Sequence, residues 1–413
     1  VGEIYRGEFS YGTVIAACCF SIQAIGVGVF VAFGVFFNPL MDEFGWTRAT
    51  ISGASSLAFL LMGVFGIAVG RLNDRFGPRL LMSVTAVFLG LGYVLMSRVV
   101  TVQQLYLYYG IIFGIGLSSI DVIALTTIAR WFSRKRGMMT GIVKVGTGAG
   151  QFTVPLVASA LIACCGWRNA YMILGSAALV MLLGIAQLLK RDPSRHRRAP
   201  DREKSAPGPA LEVFAEAHLT LGQALRTLQL WIICLVNLAI VFCMLIVLVH
   251  IVPHARDIGI PAARAATVLS AIGAVSMVGR FATGMFIDRI GSKKAMIFCF
   301  LLLVAALFWL QLADSLWMLY LFAAIYGLAH GGFFTAISPI VAEMFGIGSH
   351  GALFGIVVCF GTIGGASGPI LAGYIFDIAG SYHWAFWLIT LLSAAGLGLI
   401  LMLKPISKAA DSV

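Results

Sequence analysis

Two basic side chains interrupt runs that are otherwise apolar. Arg280 lies in Val275-Ser276-Met277-Val278-Gly279-Arg280-Phe281, and Lys144 lies in Gly141-Ile142-Val143-Lys144-Val145-Gly146. A guanidinium presents its donors in a planar fork that matches the two oxygens of a carboxylate. Anion recognition is therefore one reading of Arg280; a snorkelling or gate residue near a helix end is the other. Lys144 either pairs with Asp121 or attracts an anion itself. Asp121 suits both a bracing role and a transferable proton. Tyr326 and His330 are four residues apart and share a helix face. His330 fits proton exchange near neutrality and equally a hydrogen-bonded core histidine. Asn237 can donate to a carboxylate or hydroxyl. Cys359, Thr362 and Phe33 either line a small pocket or pack helices. No paired carboxylates, activated nucleophile or Cys/His set at metal spacing appears, so no metal, cofactor or enzymatic reaction is expected.

The elements that hold these residues follow from composition. The chain has 413 residues, 60% hydrophobic and only 11% charged. Water-soluble domains carry about 25% charged residues. Charge-free runs of bilayer length recur throughout, and helices satisfy every peptide group in lipid. The runs are apolar all round rather than alternating, which excludes a barrel. The expected fold is all-α, a polytopic membrane protein of twelve transmembrane helices in two six-helix bundles. The spans are expected at 12–37, 51–70, 80–98, 103–129, 138–163 and 169–189, then 227–251, 265–287, 294–313, 315–341, 351–376 and 384–403. The weakest break is Asp314-Ser315.

The net charge of +11 is a topology signal rather than a nucleic-acid footprint. With both termini inside, 21 of the 28 Lys and Arg fall on the inner side and five on the outer. That asymmetry is the positive-inside pattern. It implies a multi-pass membrane protein surrounded by lipids; the expected location is the plasma membrane, a bacterial inner membrane. Bundles are expected at 1–190 and 226–413, joined by a cytoplasmic linker at 191–225, in which Ala210 to Leu221 can form a short surface helix. The eight cysteines read as packing residues.

The two halves repeat. Gly70, Asp74, Arg75, Gly77 and Arg79 recur as Gly284, Asp288, Arg289, Gly291 and Lys293, both reading G-x-x-x-D-R-x-G-x-[RK]. Gly166-Trp167-Arg168 is echoed by His383-Trp384-Ala385 at an equivalent span boundary. The first motif resembles the loop signature of the major facilitator superfamily. That resemblance covers essentially the whole chain. It implies two bundles around a central cavity, alternating access by rocking, and a gating role for the motif, with its Asp–Arg pair bridging helix termini.

A closer resemblance lies in Trp131-Phe132-Ser133-Arg134-Lys135-Arg136-Gly137-Met138-Met139-Thr140-Gly141, continuing to Gly146 and Gly150. This is similar to the monocarboxylate transporter signature, with Glu8-Phe9-Ser10-Tyr11-Gly12 a partial match to that family's N-terminal pattern. The resemblance implies that Arg280 holds a substrate carboxylate. The family's acidic partner four residues earlier is Ser276 here, and its first-helix lysine falls on Val31 or a nearby apolar residue. The expectation is a monomeric carrier of small monocarboxylates such as L-lactate or pyruvate with proton symport, the proton carried by His330, Asp121 or the substrate complex. An oxalate/formate-type anion exchanger is the nearest rival; a membrane sensor, a drug exporter and a membrane enzyme stand further off.

Overall fold

The computed structural model describes residues 2–133, 135–193 and 219–404. Every long element among them is a helix, and each starts or stops where the backbone chemistry demands it. Thr47, Thr101 and Thr227 accept from the backbone N–H three residues on, at 3.2, 3.3 and 3.4 Å. These are N-caps that satisfy donors with no intrahelical partner. Glycines close several helices. Gly77 and Gly291, at φ 86° and 85°, turn the chain sharply at equivalent places in the two halves.

The helices in chain order are α1 (Gly2–Ala32), α2 (Arg48–Phe76), α3 (Pro78–Met96) and α4 (Val102–Trp131). Helix α1 runs on through a 3₁₀ turn, Phe33–Phe36, into a short helix, Phe37–Phe44. One continuous helical stretch, Arg136–Leu188, follows. At about 1.5 Å per residue it is far too long for one bilayer crossing. It is broken at Gly166, where φ 79° and ψ 160° leave the helical region. The stretch therefore contains two spans, α5 (136–165) and α6 (167–188). Then come α7 (Leu228–Asp257), α8 (Ala262–Ile290), α9 (Ser292–Gln311), α10 (Leu316–Phe345), α11 (His350–Ala379) and α12 (His383–Met402).

Among the described residues, twelve spans match the expected fold. The break at Asp314-Ser315 falls in the gap between α9 and α10. Several helices outrun their expected ends: α2 continues past residue 70 to Phe76, because its polar last turns remain helical until Gly77. Most of the expected linker, including 210–218, lies outside the described residues. Beyond it, Thr220 and Gln223 form a reciprocal cap on a short helix, Leu221–Leu225.

Large apolar side chains such as Phe152, Val180, Ile370 and Trp384 stand exposed on the outside of the helices. In a membrane this is the lipid-facing surface. Between the bundles, α2 packs along α11 and α5 along α8. These contacts begin at the basic end, the end that carries both G-x-x-x-D-R loops. Gly70 lies against Gly351, Gly66 against Gly355 and Gly63 against Thr362. On the other seam, Gly137 meets Gly284, Gly141 meets Arg280 and Gly148 meets Met277. Glycine at such crossings lets two backbones approach to within contact.

Candidate functional site

Arg280 is held where three glycines make room for it. A Cβ on Gly141 of α5 would stand 2.6 Å from the Arg280 carbonyl oxygen, and one on Gly331 of α10 would stand 2.7 Å from its backbone nitrogen. A Cβ on Gly148 would fall 2.9 Å from Nη1 of the guanidinium itself. Arg280 is 2% exposed, and its Nε and Nη1 have no hydrogen-bond partner among the described residues. Ser276, one turn earlier, bonds the Gly273 carbonyl at 2.7 Å and brings no charge. A buried guanidinium with open donors is costly unless something anionic completes it.

One helical turn from Gly141 and Gly148, Lys144 has found its partner. Its Nζ lies 2.5 Å from Asp121 Oδ1 of α4. Gln23 of α1 binds the pair together: its Nε2 donates to the same Asp121 oxygen at 2.8 Å and to the Ile120 carbonyl at 3.1 Å. Gln23 Oε1 accepts from Thr147 at 2.8 Å and lies 3.5 Å from Lys144 Nζ. The pairing reading of Lys144 is thus the observed one. Gln23 is the residue that sequence reasoning missed. A lone amide in an apolar run was the available signal, since a buried amide must be hydrogen-bonded.

The other expected site residues divide. His330 is 7% exposed, it precedes the Gly331 that packs on the Arg280 backbone, and its Nδ1 has no partner among the described residues. Its ring lies between Tyr326 and Phe334, at 5.7 and 5.2 Å. Phe334 in turn lies 5.8 Å from the Lys144 ammonium. Tyr326 uses its hydroxyl on the Met244 carbonyl at 3.0 Å, and Asn237 uses its amide N–H on the Val357 carbonyl at 2.8 Å, tying α7 to α10 and α11. Thr362 bonds back to Cys359 O and packs on Gly63. Phe33 stacks on Tyr109 at 3.8 Å beside a cluster of Phe36, Tyr93 and Tyr171. Arg280, His330, Lys144 and Asp121 come together, with the Tyr326 ring against His330; Phe33, Asn237 and the Tyr326 hydroxyl are engaged elsewhere. An open groove of about 400 Å³ at the α1–α5–α8 seam is lined by Phe20, Ile142, Val145, Met277, Val278 and Phe281 and has no polar anchor for an anion.

The repeated loop motif works across the two bundles. Asp74 accepts from Gly351 N at 3.1 Å and Ala352 N at 2.9 Å, capping the first turn of α11. Asp288 accepts from Gly137 N at 2.7 Å and Met138 N at 2.9 Å, capping the first turn of α5. Each carboxylate meets the positive end of a helix in the opposite bundle. The expected partner of the aspartate is corrected, however. Arg75 and Arg289 are exposed, because neighbouring residues on a helix point about 100° apart. Asp74 pairs instead with Arg130 at the end of α4, at 2.6 Å. Arg79 binds Gln187 of α6 at 2.9 and 2.6 Å, while Lys293 binds the Leu401 and Leu403 carbonyls at 3.1 and 2.6 Å. Glu343, also unforeseen, joins the ends of α10 and α9 through Ser292 at 2.7 and 3.2 Å.

Comparison with known proteins gives the same picture. The model of the Major Facilitator Superfamily matches residues 16–287 and 251–412. Monocarboxylate transporter 13 of Bos taurus is 28% identical over 99% of this chain and 95% of that protein. Monocarboxylate transporter 12 of Rattus norvegicus is 26% identical over 94% of this chain and 84% of its own length. Among solved structures, a proton:xylose symporter aligns with a TM-score of 0.77 at 16% identity, covering 96% of this chain and 97% of that one. The Escherichia coli fucose:proton symporter aligns at 0.69 and 14%, covering 96% and 99%. At such identities the two structures speak for the fold alone.

Proposed function

Because this chain belongs to the major facilitator superfamily, whose members are carriers rather than enzymes, we propose that it moves small monocarboxylates of the lactate or pyruvate size across the plasma membrane. The observation that carries this reading is the buried guanidinium of Arg280 with two unpartnered nitrogens. A single carboxylate completes it. His330, with its own unpartnered ring nitrogen nearby, suits the 2-hydroxyl or 2-oxo group of such an acid. The monocarboxylate transporters among the relatives support the same substrate class.

The basic end faces the cytoplasm in this reading, with both termini inside, in keeping with the Lys/Arg asymmetry. The bundles at 1–190 and 226–413 rock about the central site of a monomer, joined by the linker at 191–225. With the inner ends packed together, the anion enters from the outer side. A proton moves with it, so that the loaded carrier crosses no net charge against the membrane potential, about 2.3 kcal/mol per charge per 100 mV.

The oxalate/formate-type exchanger gains less from the geometry. A dicarboxylate needs a second free cation, and Lys144 is taken by Asp121 at 2.5 Å. Proteoliposomes containing the purified chain distinguish the two. L-Lactate or pyruvate uptake that rises with an inward proton gradient supports the proposal. Uptake that requires preloaded oxalate or formate and ignores the gradient refutes it.

A further inference from the structure

The family's usual acidic partner is replaced by Ser276, yet a carboxylate stands well inside a span all the same. Asp121 lies ten positions before Trp131, the last residue of α4, or about 15 Å along the axis. Every other Asp and Glu among the described residues with described side chains sits in a loop or within a few residues of a helix end. A carboxylate at that depth is a functional residue by default.

Its surroundings are those of a group that exchanges a proton. The Asp121 side chain is 28% exposed, while its partner Lys144 is 5% exposed. Gln23 of α1 and Lys144 of α5 pack directly against it. The charged and titratable groups around it are Lys144 of α5, which it pairs with, Arg280 of α8, whose Nη1 meets Gly148 one turn along α5 from Lys144, and His330 of α10, next to the Gly331 that packs on the Arg280 backbone; α1 contributes the neutral Gln23. Two cations thus stand near one acid, and one of the two is the guanidinium with open donors.

We propose that Asp121 accepts the co-transported proton, and that it does so when a substrate carboxylate neutralises Arg280. This rests on the monocarboxylate reading above. In the empty site both cations act on Asp121 and Lys144 holds its oxygen. A bound carboxylate cancels the field of Arg280, which leaves one cation in place of two. The proton goes to an Asp121 carboxylate oxygen; Lys144 remains an ammonium, with Gln23 Oε1 the acceptor beside it at 3.5 Å. Anion and proton together add no net charge. By thermodynamic reciprocity, protonating Asp121 strengthens carboxylate binding by the factor by which the carboxylate favours protonation. When the carboxylate leaves, Arg280 acts on Asp121 again, Lys144 recaptures its oxygen and the proton is released.

The test is calorimetric titration of the full-length purified chain with L-lactate in two buffers of different ionisation enthalpy, which counts protons taken up on binding. The wild type is expected to take up about one proton per L-lactate bound at a pH where Asp121 is ionised in the empty site. Asp121→Asn, and Asp121→Asn combined with Lys144→Gln to avoid a stranded ammonium, are expected to bind L-lactate with no proton uptake. Undiminished uptake in either variant overturns the proposal and leaves His330 as the carrier. Loss of L-lactate binding in both variants also overturns it, because Asp121 would then belong to anion binding itself. A wild type that binds L-lactate without proton uptake refutes the coupling alone. A wild type that does not bind L-lactate refutes the monocarboxylate reading on which it rests.

Discussion

At the scale of single residues, the site is defined by which charges have partners. Lys144 and Asp121 neutralise each other, whereas Nε and Nη1 of Arg280 have no partner among the described residues. Position 276 tests this directly. An acid there lies four residues before Arg280 on the same helix face and competes with the substrate. Ser276→Asp is expected to weaken L-lactate binding about tenfold or more, an effect that calorimetry reads as a shift in Kd. Unchanged affinity would mean that Arg280 is not the anion's anchor. The sequence made the charges legible, since Arg280, Lys144 and Asp121 each interrupt an apolar run. Gln23 was not legible, because its partners Asp121, Lys144 and Thr147 are distant in sequence and its amide carries no charge. Phe33 stayed open between pocket and packing for the opposite reason. A phenylalanine carries no mark of whether it faces a cavity or, as here, Tyr109.

At the scale of elements, glycines determine how closely the helices cross. A Cβ on Gly284 would stand 2.6 Å from the Gly137 carbonyl, so the α5–α8 crossing tolerates no side chain at that point. Gly284→Val is expected to push the two helices apart at the basic end, destabilising that packing by about 1–3 kcal/mol and lowering uptake several-fold. Cross-linking yield between cysteines introduced at Met138 and Met285 would follow the separation. Retained wild-type uptake would contradict the need for close approach. The span pattern was largely readable, because a bilayer fixes the length of an apolar helix. The continuous Arg136–Leu188 stretch differs from expectation only in form: its two spans are joined through Gly166 without an intervening loop. Hydropathy reports the spans, but the dihedrals of a single glycine set how they are joined.

At the scale of the whole molecule, two aspartates related by the internal repeat hold the basic end shut by capping helices of the opposite bundle. The motif itself was legible as a repeat. Its partners were not, because the N–H groups that Asp74 and Asp288 bind belong to Gly351, Ala352, Gly137 and Met138, whose side chains say nothing of it. Asp74→Ala removes the cap of α11 and the partner of Arg130, a loss of about 1–3 kcal/mol from the closed arrangement. Spin labels at Leu72 and Ile290, both exposed near the basic end, are expected to report a larger population of long distances in that variant. An unchanged distance distribution would show that the caps do not bias the two arrangements.

The central claim of the proposed function is one anion held between the bundles by one guanidinium. The most direct measurement is L-lactate uptake into proteoliposomes reconstituted with equal amounts of the wild type and Arg280→Gln, under an inward proton gradient. Uptake by the wild type with near-complete loss in the variant, and an unchanged folded yield in the membrane, is the predicted result. Uptake by Arg280→Gln at the wild-type rate would contradict the account.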